Sequence, residues 1–178
     1  MKAYVGAGSS NTPPDVLELM FKFAGVMSDK GITLRCSESG IADETFVKGC
    51  KGKFFTYIPH GCIDESLDNP DAKPYKPSVW GITSDLSPGS SDVAFARSLD
   101  PSFLMLSTAE KQWEVVANSL IYGLPVLGKH QSLAKMLVCW SEPGDHVERY
   151  IRKAVKAGVM VLNLAIPQDR NKVESWTR

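Results

Sequence analysis

The chain has 178 residues, of which 43% are hydrophobic and 22% are charged, so its length and composition fit one globular domain with a buried core. The 20 Lys and Arg residues balance the 20 Asp and Glu residues, so the broad positive field of non-specific nucleic-acid binders is absent and nucleic acid is not an expected partner. The apolar runs are too short to cross a bilayer and the N-terminus lacks an export signal pattern, so we expect a cytoplasmic protein without membrane contact.

The four cysteines, at positions 36, 50, 62 and 139, match neither a C-x-x-C motif nor a zinc pattern with paired histidines. Reduced thiols in a reducing compartment are therefore expected. His60 lies near Cys62, but the sequence offers no second pair of ligands beside them. We predict no metal site and no cofactor.

The first third of the chain alternates between strand and helix patterns. A short strand at 2–5 runs into a glycine-rich turn at 6–12, and apolar residues then recur at helical spacing as far as Lys30 and Gly31. A second strand at 32–36, a helix at 43–48 and a third strand at 54–58 follow. Such alternation is typical of a parallel sheet covered by helices.

Residues 60–105 are rich in proline, glycine, serine and aspartate, which predicts a long irregular insertion, part of which would cover a functional site. The pattern then resumes with a helix at 109–122, a strand at 136–140, a helix at 145–157 and a strand at 159–164. The prediction is a single α/β domain over 1–166, a Rossmann-like three-layer fold with a mostly parallel sheet of about five strands. Residues 167–178 are predicted to form a polar tail.

Ligands of open parallel sheets bind beyond the carboxyl ends of the strands, and here three polar turns follow predicted strands and should converge. In the first turn, Gly6 and Gly8 would let the backbone approach a phosphate or ribose. The equally weighted alternative is a tight turn in which Thr12 caps the helix and Pro13 begins it. The turn lacks the full G-x-G-x-x-G fingerprint and the P-loop lysine, so dehydrogenases and ATPases are not supported.

The second turn contains two acids, Glu38 and Asp43, which can hold a ribose diol or act as general base, or can merely cap a helix. Trp140 can flank a base at a strand end but is more typical of a core, and Asn118 must find partners if it is buried. Glu38 and Asp43 are the candidate catalytic residues. The candidate ligand-binding residues are Gly6, Gly8, Ser9, Ser10, Asn11, Ser37, Ser39, Gly40, Asn118, Trp140, Ser141 and Gly144.

Several segments together resemble the YpsA-like branch of the SLOG superfamily, which also includes the core of the DNA-processing protein A family and the LOG-type phosphoribohydrolases. The matching segments, in chain order, are residues 6–13, 30–35, 40–49, 57–59, 117–123, 138–141 and 157–165. The resemblance implies a Rossmann-like domain that binds a nucleotide or nucleotide-derived ligand and assembles as a homo-oligomer.

The chain departs from this family at positions that would face a phosphate. Ser10 and Ala117 replace two arginines, Ser37 and Glu38 replace paired glycines, and residues 145–147 replace a G-G-T turn. The glycine-rich strings of the phosphoribohydrolases are also missing, so that activity is not carried over.

The leading functional hypothesis is binding of a nucleotide or nucleotide-derived small molecule, for sensing or sequestration. The first alternative is an N-glycosidic hydrolase or transferase, in which Glu38 or Asp43 activates water or holds the ribose. The second is a DNA-processing accessory that touches phosphates through one basic helix, although a solvated helix face is the more common reason for such a cluster. The basic residues of that helix are Arg149, Arg152, Lys153 and Lys156.

Overall fold

The structure is a computed structural model that describes residues 2–37, 40–52, 54–58, 81–83, 91–123 and 132–178. Six strands are present in these ranges: β1 (Ala3–Gly8), β2 (Thr33–Cys36), β3 (Phe54–Ile58), β4 (Gly81–Thr83), β5 (Met136–Trp140) and β6 (Met160–Asn163). The helices are α1 (Pro14–Asp29), α2 (Ile41–Gly49), α3 (Ser91–Leu99), α4 (Thr108–Tyr122), α5 (Glu148–Lys156) and α6 (Pro167–Trp176), with a short 3₁₀ helix at Pro101–Met105.

The strands form one sheet in the order β4-β3-β2-β1-β5-β6, and each neighbouring pair is parallel. The predicted parallel α/β sheet is confirmed, with six strands instead of about five. The strand order reverses between β1 and β5, where Gly8 pairs with Trp140. In doubly wound sheets such a reversal opens a crevice at the carboxyl ends of the strands.

Helices cover both faces of the sheet, as the three-layer prediction requires. Alternate residues of a strand point to opposite faces, so β1 contributes Tyr4 to one core and Val5 and Ala7 to the other. The Tyr4 core is closed by α1, α2 and α6, and the second core by α4 and α5. The sheet is therefore buried on both sides, which explains its nearly continuous apolar strands.

The glycine-rich stretch after the first predicted strand is itself part of a strand. Gly6 and Gly8 lie inside β1, and α1 begins at Pro14 with Pro13 as its N-cap residue. The alternative in which Thr12 caps this helix is wrong, because the N-cap residue is Pro13 and no side chain among the described residues accepts from the first helical N–H groups. The Thr12 hydroxyl instead donates a hydrogen bond to the carbonyl oxygen of Ser9 at 2.7 Å.

Two segments that were expected to be irregular contain regular structure. The range 60–105 includes β4, α3 and the 3₁₀ helix, while 59–80 and 84–90 lie outside the described residues. The predicted polar tail contains α6, whose Val173 is buried and whose Trp176 packs against the core beneath α1. Two apolar contacts spaced three residues apart suffice to dock this otherwise polar helix.

Helix α6 is also tied to the start of α1 by an ion pair, in which Arg170 Nη2 donates to Asp15 Oδ2 at 2.7 Å. The hydrogen bond from Arg170 is the main reason that the pKa of Asp15 is lowered. A carboxyl group with a lowered pKa in the folded state stabilises the fold above its unfolded pKa of about 3.9, and this contribution is lost as the pH falls through the folded value.

We therefore expect the free energy of unfolding to fall less in Asp15→Asn than in the wild type between about pH 4 and pH 2. Above that range the difference between the two proteins should not change sharply with pH. Urea unfolding of the wild type and the variant across this range measures the difference. Arg170→Gln should flatten the same part of the pH profile, since it removes the donor. Parallel profiles for all three proteins would show that the pair contributes nothing to acid sensitivity.

Candidate functional site

The ends of the two strands at the reversal point lie side by side. Ser9 follows β1 and Ser141 follows β5, and the Ser9 N–H donates to the Trp140 carbonyl at 3.4 Å. Both serines are buried, with exposed fractions of 5% and 4%. The predicted convergence of the first and third turns is therefore seen in the backbone itself.

The second turn joins this edge through a buried polar cluster. Ser37 Oγ, at the end of β2, donates to Asp43 Oδ2 of α2 at 2.8 Å, and both residues are buried. The phenol of Tyr150 on α5 lies near this pair, and burial is the main cause of its raised pKa, to which the Asp43 carboxylate adds. Groups from β2, α2 and α5 thus meet. Glu38 and Ser39 lie outside the described residues.

A cavity of about 480 Å³ adjoins Tyr150 on the side of α4 and α5. Its described lining residues are Trp113, His146, Arg149 and Tyr150. The volume falls in the range of about 300 to 1,000 Å³ that is usual for small-molecule sites. Two aromatic rings, an imidazole and a guanidinium suit a ligand with a flat ring and a negatively charged group.

The imidazole of His146 is oriented by its neighbour. Its Nδ1 lies 2.8 Å from Asp145 Oδ1, which also accepts the N–H of Val147 at 3.3 Å. The His146 ring meets the Tyr150 ring edge to face, with centroids 6.4 Å apart. A carboxylate on Nδ1 leaves Nε2 as the ring nitrogen that can meet a ligand.

The basic residues of α5 do not form one solvated face. Arg149 lines the cavity, and Arg152 is exposed. Lys153 forms an ion pair with Glu114 of α4 at 2.7 Å, and Lys156 donates to the carbonyl of Leu99 at 3.1 Å. Arg152 and Lys156 are exposed while Arg149 and Lys153 are half-buried, so the cluster is only partly a solvated helix face, and its predicted contact with phosphates stays a prediction.

The starts of α1 and α5 are disfavoured as anion sites by the chain's own groups. At α1, Pro13 and Pro14 have no N–H to donate, and Asp15 places a carboxylate in the first turn. Before α5, Glu148 Oε1 accepts the N–H of Gly144 at 3.1 Å. An anionic ligand would compete with these carboxylates for the partial positive charge of either helix.

The glycines of β1 are required by the packing of α2. A Cβ on Gly6 would stand 2.7 Å from the ring of Phe46, and one on Gly8 would stand 2.4 Å from the Cβ of Ala42. Gly40 differs, because a Cβ there would meet nothing within 4 Å. Close helix packing therefore explains Gly6 and Gly8 without a ligand, and their predicted role in ligand binding stays a prediction.

The remaining predicted residues surround the strand ends. Ser9 Oγ accepts the N–H of Asn11 at 3.0 Å, and the N–H of Ser141 donates to Asn163 Oδ1 at 3.1 Å. Ser10 and Asn11 are exposed, and Gly144 adopts a left-handed conformation with φ 87°. Within the described ranges, the cavity lining includes none of the predicted ligand-binding residues; Ser37 and Asp43 reach it only through Tyr150.

Trp140 and Asn118 are both buried away from this lining. Trp140 packs in the core beneath α1 and α2, so the core interpretation of this tryptophan holds and it does not flank the cavity. Asn118 on α4 is 1% exposed, and among the described residues neither atom of its amide has a hydrogen-bond partner. A buried amide without partners costs about 1 to 3 kcal/mol for each lost group.

Sequence reasoning missed the residues that line the cavity. Trp113 packs partly against the core and His146 is exposed, so neither residue type alone marks a site, and only the adjacency of Asp145 and His146 signalled an oriented imidazole. The described part of the chain contains no cluster of three metal-ligating side chains. It also contains no helix that is long and apolar enough to cross a membrane.

No protein-family model matches the chain, and no curated protein matches it. Among solved structures, the chain is similar to the molybdenum cofactor carrier protein MCP from Chlamydomonas reinhardtii, with 14% sequence identity and a TM-score of 0.48. The similarity covers 89% of this chain and 73% of that chain. The function is therefore inferred from the cavity and the residues around it.

Proposed function

We propose that this chain binds a nucleotide or nucleotide-derived small molecule in the cavity between α4 and α5, as a divergent SLOG-type binding protein. The observation that carries the proposal is the lining of a cavity of about 480 Å³ at the carboxyl edge of the sheet by Trp113, His146, Arg149 and Tyr150. His146 and Arg149 follow the carboxyl end of β5, and the carboxyl ends of the strands are where open parallel sheets bind ligands.

The chemistry of the walls favours a ligand that combines a flat ring with polar groups. Trp113 offers a stacking surface, and stacking of a base on an aromatic side chain contributes about 1 to 3 kcal/mol. Arg149 has no ion-pair partner among the described residues, so its charge is available to a ligand. Tyr150 is almost fully buried in the core on this face of the sheet, and close packing limits the movement of this wall.

Binding without turnover is the function that this lining supports best. A hydrolytic site needs a general base or nucleophile at the reacting bond. Asp43 is 1% exposed and is placed behind Tyr150, where its carboxylate accepts the Ser37 hydroxyl. Asp43 is therefore not placed to act on a bond inside the cavity, and we propose sensing or sequestration of the ligand.

Trp113→Ala should weaken binding of the ligand about tenfold or more, because it removes the stacking surface. Titration calorimetry with a panel of nucleotides, nucleosides and ADP-ribose derivatives measures this loss. Trp113→Phe should retain most of the affinity. Trp176→Phe is the matched control, since Trp176 contacts Phe23 in the core on the opposite face of the sheet.

The proposal fails if the wild-type protein binds none of these compounds at millimolar concentration, or if Trp113→Ala binds as tightly as the wild type. Release of free base from a nucleoside or nucleotide would indicate the N-glycosidic alternative instead. In that case Glu38→Gln should abolish the release while the protein remains folded.

A further inference from the structure

The starts of α1 and α5 offer an anion little to bind. The N-terminus of α1 lacks two N–H groups because of Pro13 and Pro14, and Asp15 stands in its first turn. Asp145 and Glu148 accept the N–H groups of Val147 and Gly144 just before α5. Beside α5, a negatively charged part of a ligand therefore depends on side chains.

Two cavity residues have the right chemistry and adjacent positions. His146 lies in the turn just before α5 and Arg149 is the second residue of that helix; the Arg149 N–H donates to the His146 carbonyl at 3.2 Å, and both side chains line the cavity. Nδ1 of His146 is engaged by Asp145, so Nε2 is the ring nitrogen left for a ligand and donates to a phosphate oxygen in the imidazolium form, while Arg149 contributes several N–H donors in a planar fork. Such a fork matches two oxygens of one phosphate group.

We infer that His146 and Arg149 bind a terminal phosphate of the ligand, with Asp145 as a positioning residue that orients the imidazole. This inference rests on the proposed function and names its ligand class: a phosphomonoester such as a nucleoside monophosphate. Trp113 on α4 forms another wall of the same cavity. One ligand can therefore contact both helices, with its base stacked on Trp113 and its phosphate beside α5.

The experiment compares a nucleoside monophosphate with its parent nucleoside by titration calorimetry. Arg149→Gln and His146→Gln should each weaken monophosphate binding about tenfold or more and change nucleoside binding less than about twofold, because only the phosphate contact is removed. Arg152→Gln is the matched control, since Arg152 lies on the same helix but is exposed and is not among the lining residues.

Asp145→Asn tests the positioning role with a separate readout. The ¹⁵N chemical shifts of the His146 ring should show a change in the balance of Nδ1–H and Nε2–H tautomers, and monophosphate affinity should fall while nucleoside affinity is kept. Unchanged ring shifts together with unchanged monophosphate affinity would overturn the role of Asp145.

The outcomes for wild type separate the two proposals. Binding of neither compound overturns the proposed function together with this inference. Equal affinity for nucleoside and monophosphate, or equal losses for both compounds in Arg149→Gln and His146→Gln, supports a ligand in the cavity but overturns the phosphate assignment. Inorganic phosphate that competes with the monophosphate and not with the nucleoside supports the assignment.

Discussion

Gly8→Ala is expected to destabilise the fold by about 3 kcal/mol, at the upper end of what overpacking a core costs. The added methyl carbon would stand 2.4 Å from the Cβ of Ala42 and 3.0 Å from Oγ1 of Thr12. Neither neighbour is the end of a long flexible chain, so α2 itself must move away from β1. Equilibrium unfolding in urea measures the change in the free energy of unfolding.

Two companion variants make this result specific. Ala42→Gly should recover much of the stability when combined with Gly8→Ala, because it removes the methyl group that the new Cβ meets. Gly40→Ala should be nearly neutral, since its Cβ would meet nothing within 4 Å. If Gly8→Ala kept its stability and lost only ligand affinity, Gly8 would be the ligand-approaching glycine that the sequence suggested.

Arg35→Ala is expected to cost about 4 kcal/mol, because it removes two hydrogen bonds from a charged donor and leaves a cavity in the core. Arg35 is fully buried on β2, and its two terminal nitrogens donate to the carbonyls of Leu120 at 3.2 Å and Ser132 at 2.7 Å. Burial lowers the pKa of Arg35, and Tyr57 opposes this effect. The variant leaves the last turn of α4 and the approach to β5 without their shared donor.

Arg35→Lys tests the geometry of this contact separately from its charge. One ammonium group does not reproduce the planar fork, so we expect the free energy of unfolding of Arg35→Lys to lie between those of the wild type and the alanine variant. Arg152→Ala, an exposed arginine, is the control and should change stability by less than about 0.5 kcal/mol. An alanine variant at 35 that unfolds like the control would refute the role assigned to Arg35.

The helices with strong local signals were predictable from the sequence almost to the residue. The helix predicted at 109–122 is α4, Thr108–Tyr122, whose start is fixed by a capping box between Ser107 and Glu110. Its end is fixed by Gly123, which has φ 64°. Apolar periodicity and end signals are local properties, so a single sequence contains them.

Elements that depend on contacts distant in sequence were not predictable. Helix α6 has two apolar contacts, Val173 and Trp176, and its ion pair from Arg170 reaches a residue 155 positions earlier. Strand β4 has three residues in a segment rich in proline and glycine, and it is formed by pairing with β3. Tertiary contact overrides weak propensity in both cases.

The candidate site was likewise predictable only in part. Convergence of the turns after β1, β2 and β5 follows from a parallel sheet, and Ser37 and Asp43 do meet there. The cavity, however, is formed where α4 and α5 pack together, and no short sequence motif predicts the relative position of two helices. Trp113 and Arg149, 36 positions apart, therefore gave no joint signal in the sequence.

The ion pair between Glu114 and Lys153 fixes the spacing of the two helices that carry the ligand-facing residues. Glu114 directly follows Trp113, Lys153 is four residues beyond Arg149, and the two side chains are only 19% and 12% exposed. A pair so well shielded is screened weakly by salt. The cavity is thus ordered during folding, so ligand binding does not have to offset the entropy lost in ordering it. Any modification that neutralised Lys153 would alter affinity from outside the binding surface.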